Sequence, residues 1–164
     1  MKIDKSKPVR KIKSSDKLRI AIVMSKFNRA VTDKLLLGAK QALMENGVID
    51  IKVFRVPGAF EIPIVTSRLC REDNVYKKVD GIITLGCIIK GETAHFENIA
   101  TSVSNTLNLL STAQNIPIGF GVLSCYNEKQ ALDRCKVKPI NADSNKGYET
   151  AMAVLDTIRI LKKM

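Results

Sequence analysis

Four mostly apolar runs, each followed by a stretch with helical spacing, divide the chain from Leu18 onward. The runs are short and rich in valine and isoleucine, which is typical of strands that are buried on both faces of a sheet. They predict strands at 18–24, 51–56, 82–85 and 116–123. The third run is interrupted at Gly86 before a second apolar patch, Cys87 to Ile89, so a glycine-containing turn is predicted there.

The segments between the strands predict helices with recognisable ends. Asn28 is a predicted N-cap for the first helix, and Gly47 is its predicted end. Asn127, followed three residues later by Gln130, forms a capping-box variant at the start of a short helix that reaches Arg134. Further helices are predicted from the 57–61 turn to about 71, from about 93 to 113, and after a loop at 136–145, the last with Val154, Leu155, Ile158 and Leu161 facing inward.

Strands that alternate with helices predict an α/β domain with three layers, a four-stranded parallel sheet flanked by helices on both faces. In such domains ligands bind beyond the carboxyl ends of the strands. Four segments are predicted to meet there, and they carry exposed aromatic and polar residues that suit a flat ligand: 25–28, 57–61, 87–95 and 120–127.

The segment from Gly81 to Glu97 contains the most distinctive chemistry. It passes from a strand through Lys90, Gly91, Glu92 and Thr93 to His95, the single histidine of the chain, at the predicted start of a helix. Free N–H groups at a helix N-terminus bind anions, and histidine transfers protons near neutral pH. A phosphorylated substrate and acid–base chemistry are therefore the first hypothesis, although the named phosphate-binding motifs are absent.

Composition narrows the class of protein. No apolar run approaches the roughly 20 residues of a membrane span, and the N-terminal residues lack the apolar region of a secretory signal, so we expect a cytoplasmic protein without membrane contact. The four cysteines are widely spaced with no CxxC pair. This spacing predicts reduced, mostly buried thiols and no metal site.

The net charge of +11 raises the possibility of nucleic-acid binding. Residues 1–19 contain eight basic and two acidic residues, which leaves +5 for the other 145 residues. Residues 1–17 are therefore predicted to be a basic, flexible tail before a single domain at 18–164. The chain has no tryptophan and only 5% aromatic residues, which argues against binding to single-stranded nucleic acid.

Six motifs, in order and with similar spacing across about residues 18–160, closely resemble the lumazine synthase family of riboflavin biosynthesis. They are SKFN (25–28), VPGAFEIP (56–63), GIITLGCIIKGETAHFE (81–97), PIGFGVL (117–123), QALDR (130–134) and NKGYE (145–149). The resemblance implies a flavodoxin-like fold. It also implies a cofactor-independent condensation of 5-amino-6-(D-ribitylamino)uracil with 3,4-dihydroxy-2-butanone 4-phosphate, giving 6,7-dimethyl-8-ribityllumazine, phosphate and water.

The same resemblance implies roles for twelve residues. His95 would be the catalytic acid–base. The pyrimidine and its ribityl chain would contact Phe27, Ala59, Phe60, Glu61, Ile88, Ile89, Lys90 and Phe120. The butanone phosphate would contact Glu92, Thr93 and Arg134. Lys90 stands where many relatives have arginine, and the segment Cys125 to Asn127 lacks the threonine-rich sequence common in the family.

The resemblance further implies a homopentamer with active sites between subunits. The loop at 136–145 is about four residues longer than in relatives that form sixty-subunit shells, so a pentamer or a pair of pentamers is expected. Two other functions remain open. One is that of the distantly similar archaeal-type riboflavin synthases. The other is a flavin-storing or RNA-binding module that retained the fold without the chemistry.

Overall fold

The computed structural model describes residues 17–71 and 79–164 of the chain. The predicted basic tail at 1–17 therefore lies outside the described residues, apart from Lys17. The elements, in chain order, are β1 (Arg19–Ser25), α1 (Arg29–Glu45), β2 (Asp50–Val56), a 3₁₀ turn (Ala59–Glu61), α2 (Ile62–Cys70), β3 (Gly81–Ile89), α3 (His95–Gln114), β4 (Ile118–Cys125), α4 (Glu128–Asp133) and α5 (Lys146–Leu161).

The strands form one parallel sheet in the order β2-β1-β3-β4. Side chains alternate across β1: Ile20, Ile22 and Met24 enter a core beneath α1 and α5, whereas Ala21 and Val23 enter a second core beneath α2 and α3. The sheet is thus covered on both faces. This arrangement confirms the predicted three-layer, flavodoxin-like α/β fold.

The predicted break at Gly86 is wrong, because β3 continues through this residue to Ile89. Residues 82–89 of β3 pair continuously with 118–125 of β4, and Gly86 stands opposite Val122 in that ladder. A Cβ at Gly86 would lie 3.1 Å from a Val122 methyl and 3.3 Å from Ile62. The glycine therefore allows close packing within a continuous strand. As a result β3 ends at Ile89, four residues later than predicted.

Asn28 precedes α1 as predicted, but its side chain does not cap the helix. Its backbone is left-handed, with φ of 54°, and its amide donates a 2.8 Å hydrogen bond to the Cys87 carbonyl. The amide thus joins the loop after β1 to β3. Gly47, with φ of 77°, follows the end of α1 as predicted. Leu161 is partly exposed instead of facing the core, because it is the last residue of α5.

A close contact between α1 and α5 fixes the start of α5. The side-chain oxygen of Asn145 accepts hydrogen bonds from the N–H groups of Gly147 and Tyr148, and its amide donates to the Lys34 carbonyl at 3.0 Å. A Cβ at Gly147 would lie 1.9 Å from a backbone oxygen of α1. The Lys146 N–H donates to the Arg134 carbonyl at 2.8 Å, so this junction also holds the residue that ends α4.

The four cysteines are free and buried, as predicted. Across the described ranges, no helix combines the length and hydrophobicity that crossing a bilayer requires. The same ranges contain no group of three or more His, Cys, Asp or Glu side chains arranged to hold a metal ion.

Candidate active site

A pocket of about 390 Å³ opens at the carboxyl ends of β1 and β3, between the loop after β1, the 3₁₀ turn and the start of α3. We call it the aromatic pocket. It brings together eight of the twelve predicted site residues: Phe27, Ala59, Phe60, Glu61, Ile88, Ile89, Thr93 and His95. Lys90, Glu92, Phe120 and Arg134 do not line it.

Two exposed rings form its walls. Phe27 is 71% exposed and Phe60 is 60% exposed, so neither ring is part of the core. The backbone beneath Phe27 is held because the N–H groups of Lys26 and Phe27 donate to the carbonyls of Val56 and Pro57, at 2.8 and 3.2 Å. Two rings standing free of the core on anchored backbone form a site for a flat, partly apolar ligand.

Glu61 ends the 3₁₀ turn at the pocket wall. Its Oε2 accepts a 2.8 Å hydrogen bond from the Gly58 N–H, which orients the carboxylate. A Cβ at Gly58 would lie 3.0 Å from the same oxygen, so glycine allows this close approach. Among the described residues, Oε1 accepts no hydrogen bond, and this oxygen can therefore accept one from a ligand hydroxyl or N–H.

His95 is the first residue of α3, at the predicted start of this helix and within two residues of the bound estimated from helical spacing. It is exposed, and its N–H donates a long 3.4 Å hydrogen bond to the Thr93 hydroxyl. The first helical hydrogen bond from the Asn98 N–H reaches the Ala94 carbonyl, so the N–H groups of the preceding turn have no helical acceptor. The imidazole therefore stands beside a helix N-terminus that attracts anions, within the wall of the aromatic pocket.

Lys90 and Glu92 are placed differently from what the motif suggested. The Lys90 N–H donates to the Cys125 carbonyl at 2.9 Å, which extends the β3–β4 ladder, so this group is not free for a ligand. The Lys90 ammonium lies 5.5 Å from the centroid of the Tyr126 ring, outside the aromatic pocket. Glu92 is exposed and likewise does not line the pocket.

Cys87 also borders the aromatic pocket, but its thiol is not a nucleophile. Burial, together with the nearby Cys125 and Cys135 thiols, raises the pKa of Cys87 to about 12. The thiol is therefore protonated at neutral pH, whereas cysteine catalysis requires the thiolate. Its contribution is the backbone carbonyl that accepts from Asn28.

Phe120 and Arg134 lie in a second depression of about 660 Å³ along β4, which we call the edge recess. β4 is an edge strand, and the N–H groups of Ile82 and Lys90 donate to the carbonyls of Pro117 and Cys125. Because a parallel ladder uses alternate residues, the backbone groups of Phe120, Val122 and Ser124 face outward. The edge recess thus offers unpaired backbone groups beside a ring that is 47% exposed.

The charges of the edge recess come from two helices. Arg134 donates a 2.9 Å hydrogen bond from a guanidinium N–H to the Gln130 carbonyl, and it forms no ion pair within the described residues. Lys146 contacts Glu149, and both line the same recess. Neither was predicted as a site residue, although both belong to the NKGYE motif, which could have identified them. The edge recess therefore holds one arginine that is available to an anion.

The sequence also matches a known protein family over most of its length. The family model for 6,7-dimethyl-8-ribityllumazine synthase matches residues 17–162. A protein of that name from Pediococcus pentosaceus is 42% identical over 149 residues, which cover 90% of each chain. Proteins of the same name from Pyrococcus furiosus and Thermococcus onnurineus are 38% and 40% identical, over 90% and 91% of this chain and 87% and 92% of their own.

Proposed function

Because the chain belongs to the 6,7-dimethyl-8-ribityllumazine synthase family, we propose that it makes this lumazine in riboflavin biosynthesis. The substrates would be 5-amino-6-(D-ribitylamino)uracil and 3,4-dihydroxy-2-butanone 4-phosphate, and phosphate and water would be released with the lumazine. No cofactor takes part in this proposal. The observation that carries it is the aromatic pocket, where two exposed rings, a carboxylate and the single histidine meet.

The pocket suits a pyrimidine with a polyhydroxyl chain. The free Phe27 and Phe60 rings would contact the heterocycle, and the unoccupied Oε1 of Glu61 would accept from ribityl hydroxyls. The phosphate would lie at the start of α3, near the Thr93 hydroxyl and the backbone N–H groups of that turn. Among the described residues Glu61 Oε1 accepts no hydrogen bond, and the Thr93 hydroxyl, which accepts from the His95 N–H, can still donate one to phosphate.

His95 would carry the protons of the reaction. The amine attacks the C2 ketone and water leaves to give an imine. Loss of a proton from C3 and of phosphate from C4 then gives an enol, which tautomerises to a C3 ketone. Attack of the ribityl-bearing nitrogen on this ketone closes the ring with loss of water. Each of these steps moves a proton, and imidazole accepts and donates protons near neutral pH. Holding both substrates in one pocket would contribute further, since effective concentration is worth up to about 7–11 kcal/mol.

Electrostatics favours a site shared between two copies of the chain. The carboxylates of Glu61, Glu92 and Glu97 lie in or next to the aromatic pocket, and among the residues that the structure describes no lysine or arginine lines it. A phosphorylated substrate needs more positive charge than this half supplies. The edge recess of a second copy would supply the unpaired Arg134 guanidinium and the Phe120 ring, and its open strand edge leaves them accessible.

A cyclic ring, expected to be a pentamer, would place every aromatic pocket against the edge recess of the next copy. In such a head-to-tail contact each chain uses two different surfaces, its aromatic pocket on one side and its edge recess on the other. A pair of pentamers or a sixty-subunit shell are the further assemblies that light scattering or sedimentation would distinguish.

Turnover of the two substrates by the purified protein, followed as lumazine formation, is the direct test. Arg134→Ala should weaken apparent butanone-phosphate binding by about 1.5–3 kcal/mol, as for a lost charge-assisted contact, while pyrimidine binding changes much less. Lys129→Ala is the matched control, because Lys129 is an exposed cation on α4, the short helix that Arg134 follows, and it lies outside both depressions.

The alternative functions predict other results. Formation of riboflavin from the lumazine alone would indicate the archaeal-type riboflavin synthase. Tight flavin or RNA binding without turnover of either kind would indicate a binding module. Equal losses for both substrates in Arg134→Ala would contradict the assigned role of Arg134.

A further inference from the structure

The segment that joins β3 to α3 is weakly held. All of residues 90–95 are exposed. Apart from the bonds that begin α3 itself, its one hydrogen bond to another element, within the described residues, is the one from the Lys90 N–H to the Cys125 carbonyl. The segment nevertheless contains the groups proposed to bind phosphate, so something else has to fix its course.

Tyr126 contacts both ends of this segment. Its ring lies 5.5 Å from the Lys90 ammonium, where the segment begins, and 6.1 Å from the Phe96 ring, just after the segment ends. The interplanar angle of 39° with Phe96 is a tilted aromatic contact. Phe96 itself lines the aromatic pocket.

The backbone of Tyr126 is fixed by the start of α4. Its N–H donates to Gln130 Oε1 at 2.9 Å, and the Gln130 N–H donates in turn to Asn127 Oδ1 at 2.9 Å. The ring is 66% exposed, so it contributes little to the core. Because the ring is exposed, it adds little to the stability of the fold. Because it contacts both ends of the 90–95 segment from a fixed backbone, it can hold that segment in place.

We propose that Tyr126 is a positioning residue that holds the 90–95 segment in the conformation that binds phosphate. This inference rests on the proposed function. Its cation–π contact with Lys90 and its ring contact with Phe96 fix the spacing between the end of β3 and the first turn of α3. The segment from Cys125 to Asn127 departs from the family pattern, and this role explains what the tyrosine does there.

Three variants test the contacts. Tyr126→Leu removes the ring and should raise the KM for the butanone phosphate roughly three- to tenfold, with the KM for the pyrimidine unchanged. Tyr126→Phe keeps the ring and should match the parent. Lys90→Met keeps the alkyl stem but removes the charge, and it should give a smaller loss of the same kind. Ile49→Ser, which changes an exposed apolar residue just before β2, is the control for loss of exposed apolar surface.

Titration with inorganic phosphate separates this inference from the proposed function. Phosphate should bind Tyr126→Leu more weakly than Tyr126→Phe, whether or not the parent protein turns over the two substrates. Thermal midpoints of the two variants should agree, since a structural role would lower the midpoint of the leucine variant. Equal phosphate affinity in both variants, equal KM shifts for both substrates, or no phosphate binding by the parent would overturn the assignment.

Discussion

Mixing two impaired variants should restore activity when butanone phosphate is well below the KM of Arg134→Ala, because the proposed active site is divided between two copies of the chain. His95 lies in the aromatic pocket and Arg134 in the edge recess, and the structure does not bring them together within one chain. In an assembly that contains both His95→Ala and Arg134→Ala subunits, some contacts pair an intact pocket with an intact recess.

The size of the recovery follows from this division. In a random equal mixture, half of the aromatic pockets and half of the edge recesses are intact, so about one quarter of the sites combine two intact halves. Wild-type chains mixed equally with the His95→Ala/Arg134→Ala double variant should also give about one quarter. If both residues acted within a single chain, the first mixture would give almost no recovery and the second about one half.

Co-expression of two differently tagged chains, followed by purification on both tags, supplies the mixed assemblies. Lumazine formation per subunit is then compared with the all-wild-type protein and with each variant alone. Residual activity of the variants is subtracted from both mixtures. Recovery of about one half in the wild-type and double-variant mixture, with none in the other, would refute the shared site.

Three further outcomes are expected. His95→Ala should retain the parent's circular dichroism spectrum but lose about 10- to 1,000-fold in turnover. This loss is smaller than a full general acid–base contribution because the substrate amine and water can replace part of it. Activity within twofold of the parent would remove His95 from the mechanism. Gly147→Ala should lower the free energy of unfolding, measured by denaturant titration, by about 3 kcal/mol or more, because its Cβ would lie 1.9 Å from a backbone oxygen. Gly91→Ala is the control and should change the free energy of unfolding little, because the space around its Cβ is open. Burial and the hydrogen bond to Glu45 raise the pKa of Tyr148 to about 12, above the roughly 10 of an unfolded chain. The native state therefore keeps this proton to higher pH than the unfolded state does, and the free energy of unfolding should fall from about pH 10 to 12. The fall should be less steep in Tyr148→Phe, and equal slopes would contradict the assignment.

Local patterns were sufficient to predict the fold. The four apolar runs and the intervening helical spacing predicted each strand and helix within a few residues, because burial on both faces of a parallel sheet leaves a strong hydrophobic signal. The error at Gly86 has a clear cause. From the sequence alone, a glycine that permits close packing in a strand cannot be distinguished from a turn glycine, because the pairing with β4 is not known.

The candidate site was predicted in part. Its residues at strand ends met as expected, since parallel strands bring their carboxyl ends to one edge. The direction of the Lys90 side chain and the long-range hydrogen bond of Asn28 depend on neighbours that no local pattern specifies. The separation of Phe120 and Arg134 from the aromatic pocket is a property of the folded surface, which spacing along the chain does not encode.

The exposure of Phe27, Phe60 and Phe120 bears on how this protein can evolve. Their rings stand outside the core, so replacing them should change ligand contacts while leaving the free energy of unfolding nearly constant. In many enzymes a new specificity requires substitutions that also weaken the fold, and this cost limits which variants persist. Here the residues proposed to select the substrate are separate from those that stabilise the sheet. Libraries randomised at these three positions should therefore be rich in folded proteins, from which altered substrate preferences can be selected directly.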